Sequence, residues 1–208
     1  MTRSILVLTL LLPAAISLSG QTSQQASATP PPPPTNRWSA DPPHSAVAFR
    51  VRHLGITWIN GTFGQWTVDL NYDPTKPEAA SVTAHIQAAS ISTGNDRRDT
   101  DLRTNYLAVD SFPEITFTST RVERVAPDRL RITGNLTIRG ITHPVVLDAD
   151  VGGVLATARG RRTAFSATTS VKRQDYGISL NRFMEGAQIV GDDVRITIDV
   201  EAVERATP

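Results

Sequence analysis

The 208-residue chain contains no cysteine. It therefore has no disulfide, no thiolate ligand for a metal ion and no cysteine that could carry a lipid anchor. Without disulfides a fold depends on its hydrophobic core, and a chain of this length is long enough to bury one.

An excess of charge of one sign is also lacking. The chain has 21 basic and 20 acidic residues, for a formal net charge of +1. This balance provides no electrostatic argument for binding nucleic acid or an acidic membrane surface, and we expect no nucleic-acid partner. The adjacent residues Arg161 and Arg162 are expected to lie in a solvated turn.

No hydrophobic run is long enough to predict a stable membrane span. The apolar run Ile5–Leu12 falls well short of the roughly 20 residues that a bilayer requires. Arg3 before this run and the small residues Ser17 and Ser19 after it are typical of a secretory signal peptide. We predict a signal peptide over residues 1–20 and a periplasmic or secreted protein, with an uncleaved anchor as the alternative.

Residues 21–37 are polar and include five consecutive prolines. This composition predicts a disordered, extended linker, because it cannot bury enough apolar surface to fold. A proline-motif ligand for a partner is the alternative. Residues 38–205 are then long enough for one domain.

Sequence motifs for catalysis and metal binding are lacking too. The four histidines, His44, His53, His85 and His143, do not form an HExxH motif, and no serine lies in a GxSxG motif. We therefore expect no enzymatic activity, no catalytic residue, no metal site and no required cofactor. An enzyme or metal protein that uses His53 with a carboxylate is kept as an alternative.

What the chain does have is apolar residues at every second position. About eight segments alternate in this way, as Val47, Phe49 and Val51 do, which predicts half-buried antiparallel strands in a barrel or a sandwich. Several positions on the apolar faces are small, which favours a barrel with a cavity. The facing sheet of a sandwich would fill the same space, so the pattern leaves both folds open. The small residues are Ala84, Ala88, Gly134, Ala149 and Ala167.

Local signals predict where these strands end. Asn60-Gly61 is typical of a tight hairpin turn, and His53-Leu54-Gly55 interrupts the alternation as a bulge or bend would. Further turns are predicted at residues 160–162 and 191–193. A charged segment with near-helical spacing predicts one short helix over residues 96–107, capped by Asn95 or Asp96.

Eight short motifs follow one another in a characteristic order. They are His44-Ser45-x-Val47-x-Phe49-x-Val51-x-His53-Leu54-Gly55, Gly61-x-Phe63, Asp73-Pro74, Ser90-Ile91-x-Thr93-Gly94-Asn95, Arg98-Asp99-x-x-Leu102, Phe112-Pro113-x-Ile115-x-Phe117-x-Ser119, Gly134-Asn135-Leu136-Thr137-Ile138-Arg139-Gly140 and Phe165-Ser166-Ala167. Their order resembles the YceI-like family of periplasmic, polyisoprenoid-binding proteins over about residues 38–203. The chain departs from the family pattern at Asp101, where members often carry His, and at Trp66, near which they often carry Phe.

The resemblance implies a single extended, lipocalin-like, eight-stranded antiparallel barrel that holds an isoprenoid chain. We expect non-catalytic binding, storage or transport of a polyisoprenoid, a quinone-like lipid or a similar amphiphile. The alternative is a stress-response or structural interaction module with an incidental cavity. An exposed edge strand could also pair two barrels into a homodimer.

Apolar residues on the inner faces are expected to contact the chain of the ligand, and arginines are expected to contact its head group. Ordinary core packing and salt bridges to Asp96, Asp99 or Asp101 are the alternatives. The predicted ligand-binding residues are Val47, Phe49, Val51, His53, Phe63, Trp66, Phe117, Leu136 and Phe165, and the predicted head-group residues are Arg97 and Arg98.

Overall fold

The computed structural model describes residues 35–157, 160–179, 183–184 and 187–205. The predicted signal peptide and the linker as far as residue 34 lie outside them. Within the described residues, no helix is both long enough and apolar enough to cross a membrane.

Antiparallel strands make up most of the described chain, as the alternation predicts. The strands are β1 (Arg37–Ala40), β2 (Ala46–His53), β3 (Thr57–Phe63), β4 (Trp66–Asn71), β5 (Ser81–Gln87), β6 (Ile91–Ser92), β7 (Glu114–Ala126), β8 (Arg129–Ile138), β9 (Ile141–Val151), β10 (Leu155–Thr157), β11 (Gly160–Lys172), β12 (Phe183–Met184), β13 (Ala187–Gln188) and β14 (Val190–Glu204).

Eight of these strands close into a barrel, which confirms the predicted fold. The ring runs β11, β9, β8, β7, β5, β4, β1 and β14, and β14 pairs back with β11. Strands β2, β3, β6 and β10 continue the walls of this ring: β14 pairs with β1 at its C-terminal end and with β2 over the rest of its length. Strands β12 and β13 form a separate two-stranded sheet.

Short helical segments connect the strands. The α-helix α1 (Asp96–Asp101) begins at Asn95, whose side chain accepts a hydrogen bond from the backbone N–H of Arg98, as predicted for an N-cap. The π-helix Leu102–Leu107 follows it directly, so that the predicted helix over residues 96–107 is present in two parts. The remaining helical segments are the 3₁₀ turns Pro42–His44, Pro77–Ala79, Ala88–Ser90 and Arg173–Tyr176.

The first hairpin turns where His53-Leu54-Gly55 predicted a bend, and the predicted turn at Asn60-Gly61 is wrong. His53 pairs with Thr57 across the turn, and Leu54 and Gly55 take the positive φ values of 52° and 72°. Asn60 and Gly61 lie inside β3 instead. Gly61 is required there for another reason: a Cβ on it would lie 2.3 Å from Cζ of Phe49 on the paired strand.

Two other predicted turns are strand residues. Gly160, Arg161 and Arg162 begin β11, and residues 191–193 lie in β14, where the pairing with β2 shifts between Val190 and Val194. Glycine and aspartate are favoured both in β-bulges and in turns, so the local sequence cannot distinguish a bulge from a turn.

Buried aromatic residues lie at the end of the barrel where β1 begins and β14 ends. Trp38 is fully buried, and its indole N–H donates to the carbonyl oxygen of Tyr72 at 2.8 Å. The ring of Tyr72 packs edge-on against Phe165 at 5.1 Å between centroids. Arg161 lies over the Trp38 ring and pairs with Glu204. These contacts fix β1 and β4 to β11 and β14.

An ion-pair network holds the turn before β2 against the same strands. Arg162 donates to Asp41 at 2.8 Å and also pairs with Glu201, and Asp41 accepts from His44 at 3.2 Å. The Arg162 guanidinium, followed by His44, lowers the pKa of Asp41 below its ordinary value. The folded state therefore favours the Asp41 carboxylate.

We expect Gly134→Ala to destabilise the barrel by about 1–3 kcal/mol, because a Cβ in this close-packed wall must displace its neighbours. That atom would lie 2.4 Å from Cζ of Phe117 and 2.6 Å from the backbone oxygen of Thr118. Gly153→Ala is the control, since no atom lies within 4 Å of the added group. Urea unfolding measures the free energy of unfolding of both variants. Equal losses of stability would contradict the conclusion that Gly134 is required by its close packing.

We expect Asp41→Asn to destabilise the protein at neutral pH and to lose this effect in acid. A carboxyl group whose pKa is depressed by folding stabilises the native state above its unfolded pKa of about 3.9 and loses that contribution as the pH falls through the folded pKa. Urea unfolding of both proteins at neutral and acidic pH measures the difference. If the difference in stability between the two proteins stayed the same at acidic pH, the charge of Asp41 would not be what stabilises the fold.

Candidate functional site

The interior of the barrel contains a cavity of about 480 Å³. Its volume falls in the range of roughly 300–1,000 Å³ that is typical of sites for small organic ligands. The inward positions of the ring strands line it, and nearly all of them are aliphatic or aromatic. A space of this kind favours an apolar ligand, because transfer from water into it is favourable in proportion to the apolar area removed from water.

All nine residues predicted to contact the ligand lie on the wall of this cavity. Val47, Phe117 and Leu136 are buried, and the other six are half-buried. The strands bring them together because each contributes its even or odd positions to the interior. Their binding role stays a prediction.

The side chains of two wall residues are folded back over glycines. The Phe49 ring lies against Gly61, and the Phe117 ring lies against Gly134, each within 2.4 Å of the position that a Cβ would occupy. Phe49 also contacts Phe63 at 5.6 Å between ring centroids. Because these rings lie along the wall, the centre of the barrel is left open.

The polar residues of the lining belong mostly to one end of the barrel, opposite Trp38. This end is formed by the β2–β3 turn, α1 with the π-helix, and the 3₁₀ turn after β11. Arg139 ties two of these segments together, since its guanidinium donates to the carbonyl oxygens of Tyr106 and Gly177. The polar or partly polar side chains at this end of the lining are Arg52, His53, Thr93, Arg98, Asp101, Tyr106, Arg173 and Tyr176.

Of the two predicted head-group arginines, only Arg98 lines the cavity. Its Nε donates to Thr93 Oγ1 at 2.7 Å, and another guanidinium nitrogen donates to the Thr93 carbonyl oxygen at 3.0 Å. Arg97 is exposed and does not belong to the lining, because consecutive helical residues point about 100° apart. The head-group role of Arg97 therefore stays a prediction that the cavity lining does not support.

Asp99 holds the helical segment against β6. It is buried, and its carboxylate accepts from the backbone N–H of Thr93 at 2.9 Å and from the Thr93 hydroxyl. Burial would raise the pKa of Asp99, but these hydrogen bonds, with Arg103 and Arg98, hold it below its ordinary value. Asp99 is thus a structural anion, and Arg98 contacts Thr93 in preference to the predicted salt bridges.

Tyr176 is a lining residue outside the set predicted from the sequence. The residue is 1% exposed and lines the cavity, and its hydroxyl has no hydrogen-bond partner in the part of the chain that the structure describes. Its ring packs edge-on against His143 at 5.2 Å, and His143 contacts the Asp175 carbonyl oxygen. Burial, followed by the charge of Asp175, raises the pKa of Tyr176. Its hydroxyl therefore stays protonated and can donate.

A metal site at His53 has no support from its surroundings. His53 is half-buried on the cavity wall, and in the described ranges the grouping of possible ligand atoms is Asp41, His44 and Glu201. Arg162 already bonds to both of these carboxylates. A guanidinium in this position neutralises the acidic pair that a cation would need.

Comparison with known proteins places these features in one family. The model of the YceI-like domain matches residues 38–202. Curated relatives called Protein YceI, from Salmonella arizonae and Salmonella paratyphi B, are each 36% identical over 164 residues, which are 78% of this chain and 83% of each relative.

Solved structures share the fold. Burkholderia cenocepacia BcnA superposes with a TM-score of 0.71 at 21% identity, covering 79% of this chain and 99% of that one. The Campylobacter jejuni YCEI protein superposes at 0.66 with 29% identity, covering 74% and 90%. A polyisoprenoid binding domain from Saccharophagus degradans, implicated in plant cell wall breakdown, superposes at 0.64 with 15% identity, covering 81% and 98%.

Proposed function

The chain belongs to the YceI-like family, and on that premise we propose that its barrel binds the hydrocarbon chain of an isoprenoid-type lipid without chemical change. The observation that carries the proposal is the apolar cavity of about 480 Å³ inside the closed ring. The polyisoprenoid-binding domain among the structural neighbours supports the same ligand class through its fold.

Burial of the hydrocarbon chain alone provides enough free energy for binding. Each buried methylene contributes about 0.8 kcal/mol, so a five-carbon unit contributes roughly 3–4 kcal/mol before costs are subtracted. Association and ordering consume at least about 4 kcal/mol. Three or four buried units contribute roughly 9–16 kcal/mol and therefore leave roughly 5–12 kcal/mol, a range that includes the approximately 8 kcal/mol of micromolar binding.

The protein would perform this role after export. The predicted signal peptide over residues 1–20 supports a periplasmic or secreted location. The protein would store or carry its lipid there. The homodimer through an edge strand stays a prediction.

We further propose that the Tyr176 hydroxyl donates a hydrogen bond to a neutral oxygen of the ligand, such as a quinone carbonyl or an alcohol. An unpartnered hydroxyl in a buried site costs about 1–3 kcal/mol, and a ligand oxygen would remove that cost. A neutral oxygen suits this uncharged donor, whereas a phosphate would have to draw Arg52, Arg98 or Arg173 away from the protein oxygens to which they donate.

Extraction of the purified native protein followed by mass spectrometry is the direct test of lipid binding. We expect a prenyl lipid in wild-type protein. Repeated recovery of empty protein that also fails to bind added geranylgeraniol would overturn the proposal. It would favour the alternative of an interaction module with an incidental cavity.

We expect Trp66→Ala to alter ligand selection more than folding, because Trp66 lines the cavity and is only half-buried. The affinity for geranylgeraniol should change by roughly tenfold, which is about 1.4 kcal/mol, and the bound species should shift toward longer or bulkier chains. Phe112→Ala is the control, since this half-buried aromatic residue lies outside the cavity lining. Unfolding with an unchanged bound species would identify Trp66 as core.

We expect Tyr176→Phe to weaken ligand binding while leaving the fold as stable as before, or more so. The affinity for geranylgeraniol should fall about threefold to tenfold, the value of one hydrogen bond. The affinity for squalene, which has no oxygen, should not change. An equal loss for both lipids would contradict the donor role but would leave lipid binding by the barrel intact.

A further inference from the structure

Three arginines surround one tryptophan on the outer face of the barrel. The guanidinium carbons of Arg52, Arg50 and Arg195 lie 4.1, 4.8 and 4.9 Å from the centre of the Trp58 ring. All three arginines are exposed, and Trp58 is half-buried. We call these four residues the Trp58 patch.

The register of the strands concentrates positive charge in the patch. Arg50 on β2 lies directly opposite Arg195 on β14, and Arg52 lies opposite Trp58 on β3. Like charges directly opposite each other on neighbouring strands are destabilising. Among the described residues, none of the three arginines forms an ion pair with a carboxylate.

Other charges near the patch do not cancel it. Lys172 on β11 lies in register with Asp193 on β14, which is exposed and two residues before Arg195. Asp192 accepts a hydrogen bond from the backbone N–H of Gln174, and Asn60 faces Arg50 on the other side. The patch therefore keeps its three positive charges, although the whole chain has a net charge of only +1.

An apolar tip projects beside the patch. Ile56, in the β2–β3 turn, is 79% exposed, and Arg52 donates to its carbonyl oxygen at 3.3 Å. An exposed aliphatic residue next to a tryptophan and several arginines is a combination that suits the boundary between lipid head groups and acyl chains. A soluble acidic partner would use the arginines but would not require the exposed isoleucine.

The patch lies next to the polar end of the cavity. Arg52 belongs both to the patch and to the cavity lining, and His53, the next residue, lies on the cavity wall. A surface that held the β2–β3 turn in a bilayer would bring this end of the barrel to the lipid.

We propose that the Trp58 patch and Ile56 dock the protein onto the surface of an anionic lipid bilayer. The arginines bind the phosphate-containing head groups, and Ile56 and Trp58 enter the interface. This role goes beyond lipid binding in the cavity and can be correct or wrong independently of it.

Flotation with vesicles tests the proposal. Wild-type protein should float with vesicles of phosphatidylglycerol and phosphatidylcholine, should bind pure phosphatidylcholine much less, and should dissociate as salt is added. Arg50→Gln/Arg195→Gln should weaken binding to the anionic vesicles by about 30-fold, since each arginine near such a surface contributes about 1 kcal/mol. Ile56→Ser should weaken it by a smaller factor without altering stability.

Arg129→Gln/Arg131→Gln is the matched control. It removes the same charge from exposed positions on β8 that pair with Asp150 and Asp148. All variants are exported and purified in the same way as wild-type protein, so that every sample has the same N-terminal residues. The proposal is wrong if wild-type protein does not bind anionic vesicles, or if the control loses as much binding as Arg50→Gln/Arg195→Gln. Binding to soluble polyglutamate but not to vesicles would assign the patch to an acidic protein instead.

Discussion

Closure of the sheet through β14 is the constraint on which the rest of the structure depends. β14 pairs with β11 along one side and with β1 and β2 along the other. Closing the ring satisfies the backbone groups that an open edge would expose, and it directs one side chain in two into a common interior. The chain has no disulfides, and side chains hold the strands together at the two ends of the barrel. Trp38 and the Arg162 network fix the strands at one end. At the other end, Arg139 links the π-helix to the turn after β11.

Closure alone does not create a cavity, because eight strands enclose a space that side chains can fill. The space remains open because of particular pairs of residues. Phe49 and Phe117 lie over Gly61 and Gly134, so two of the largest inward side chains follow the wall. Ala149 and Ala167, which face each other across β9 and β11, add little volume. The glycines thus have a packing role, and their substitution would affect the cavity as well as stability.

Alternation of apolar residues predicted the barrel and its wall because a period of two is a local property of each strand. The same reasoning failed where one local signal has two structural causes. Asn60-Gly61 is typical of a turn, yet Gly61 is needed to accommodate an aromatic ring from a residue 12 positions earlier. Arg97 and Arg98 could not be separated before the helix start was known. Tyr176 lies beyond the last regular position of β11, in a 3₁₀ turn, where no periodic pattern assigns a side chain to the interior.

The distribution of charge on the surface could not be predicted from local sequence either. A nearly neutral composition is correct for the chain as a whole, but electrostatic attraction falls off within about 10 Å at moderate salt and so depends on local arrangement. Arg50 and Arg195 are far apart in sequence and become neighbours only when β2 pairs with β14. The strand that closes the ring against β11 is therefore also the strand that assembles the Trp58 patch, through its pairing with β2. One strand thus connects the interior in which we propose that a lipid chain binds to the surface that we propose docks on a bilayer.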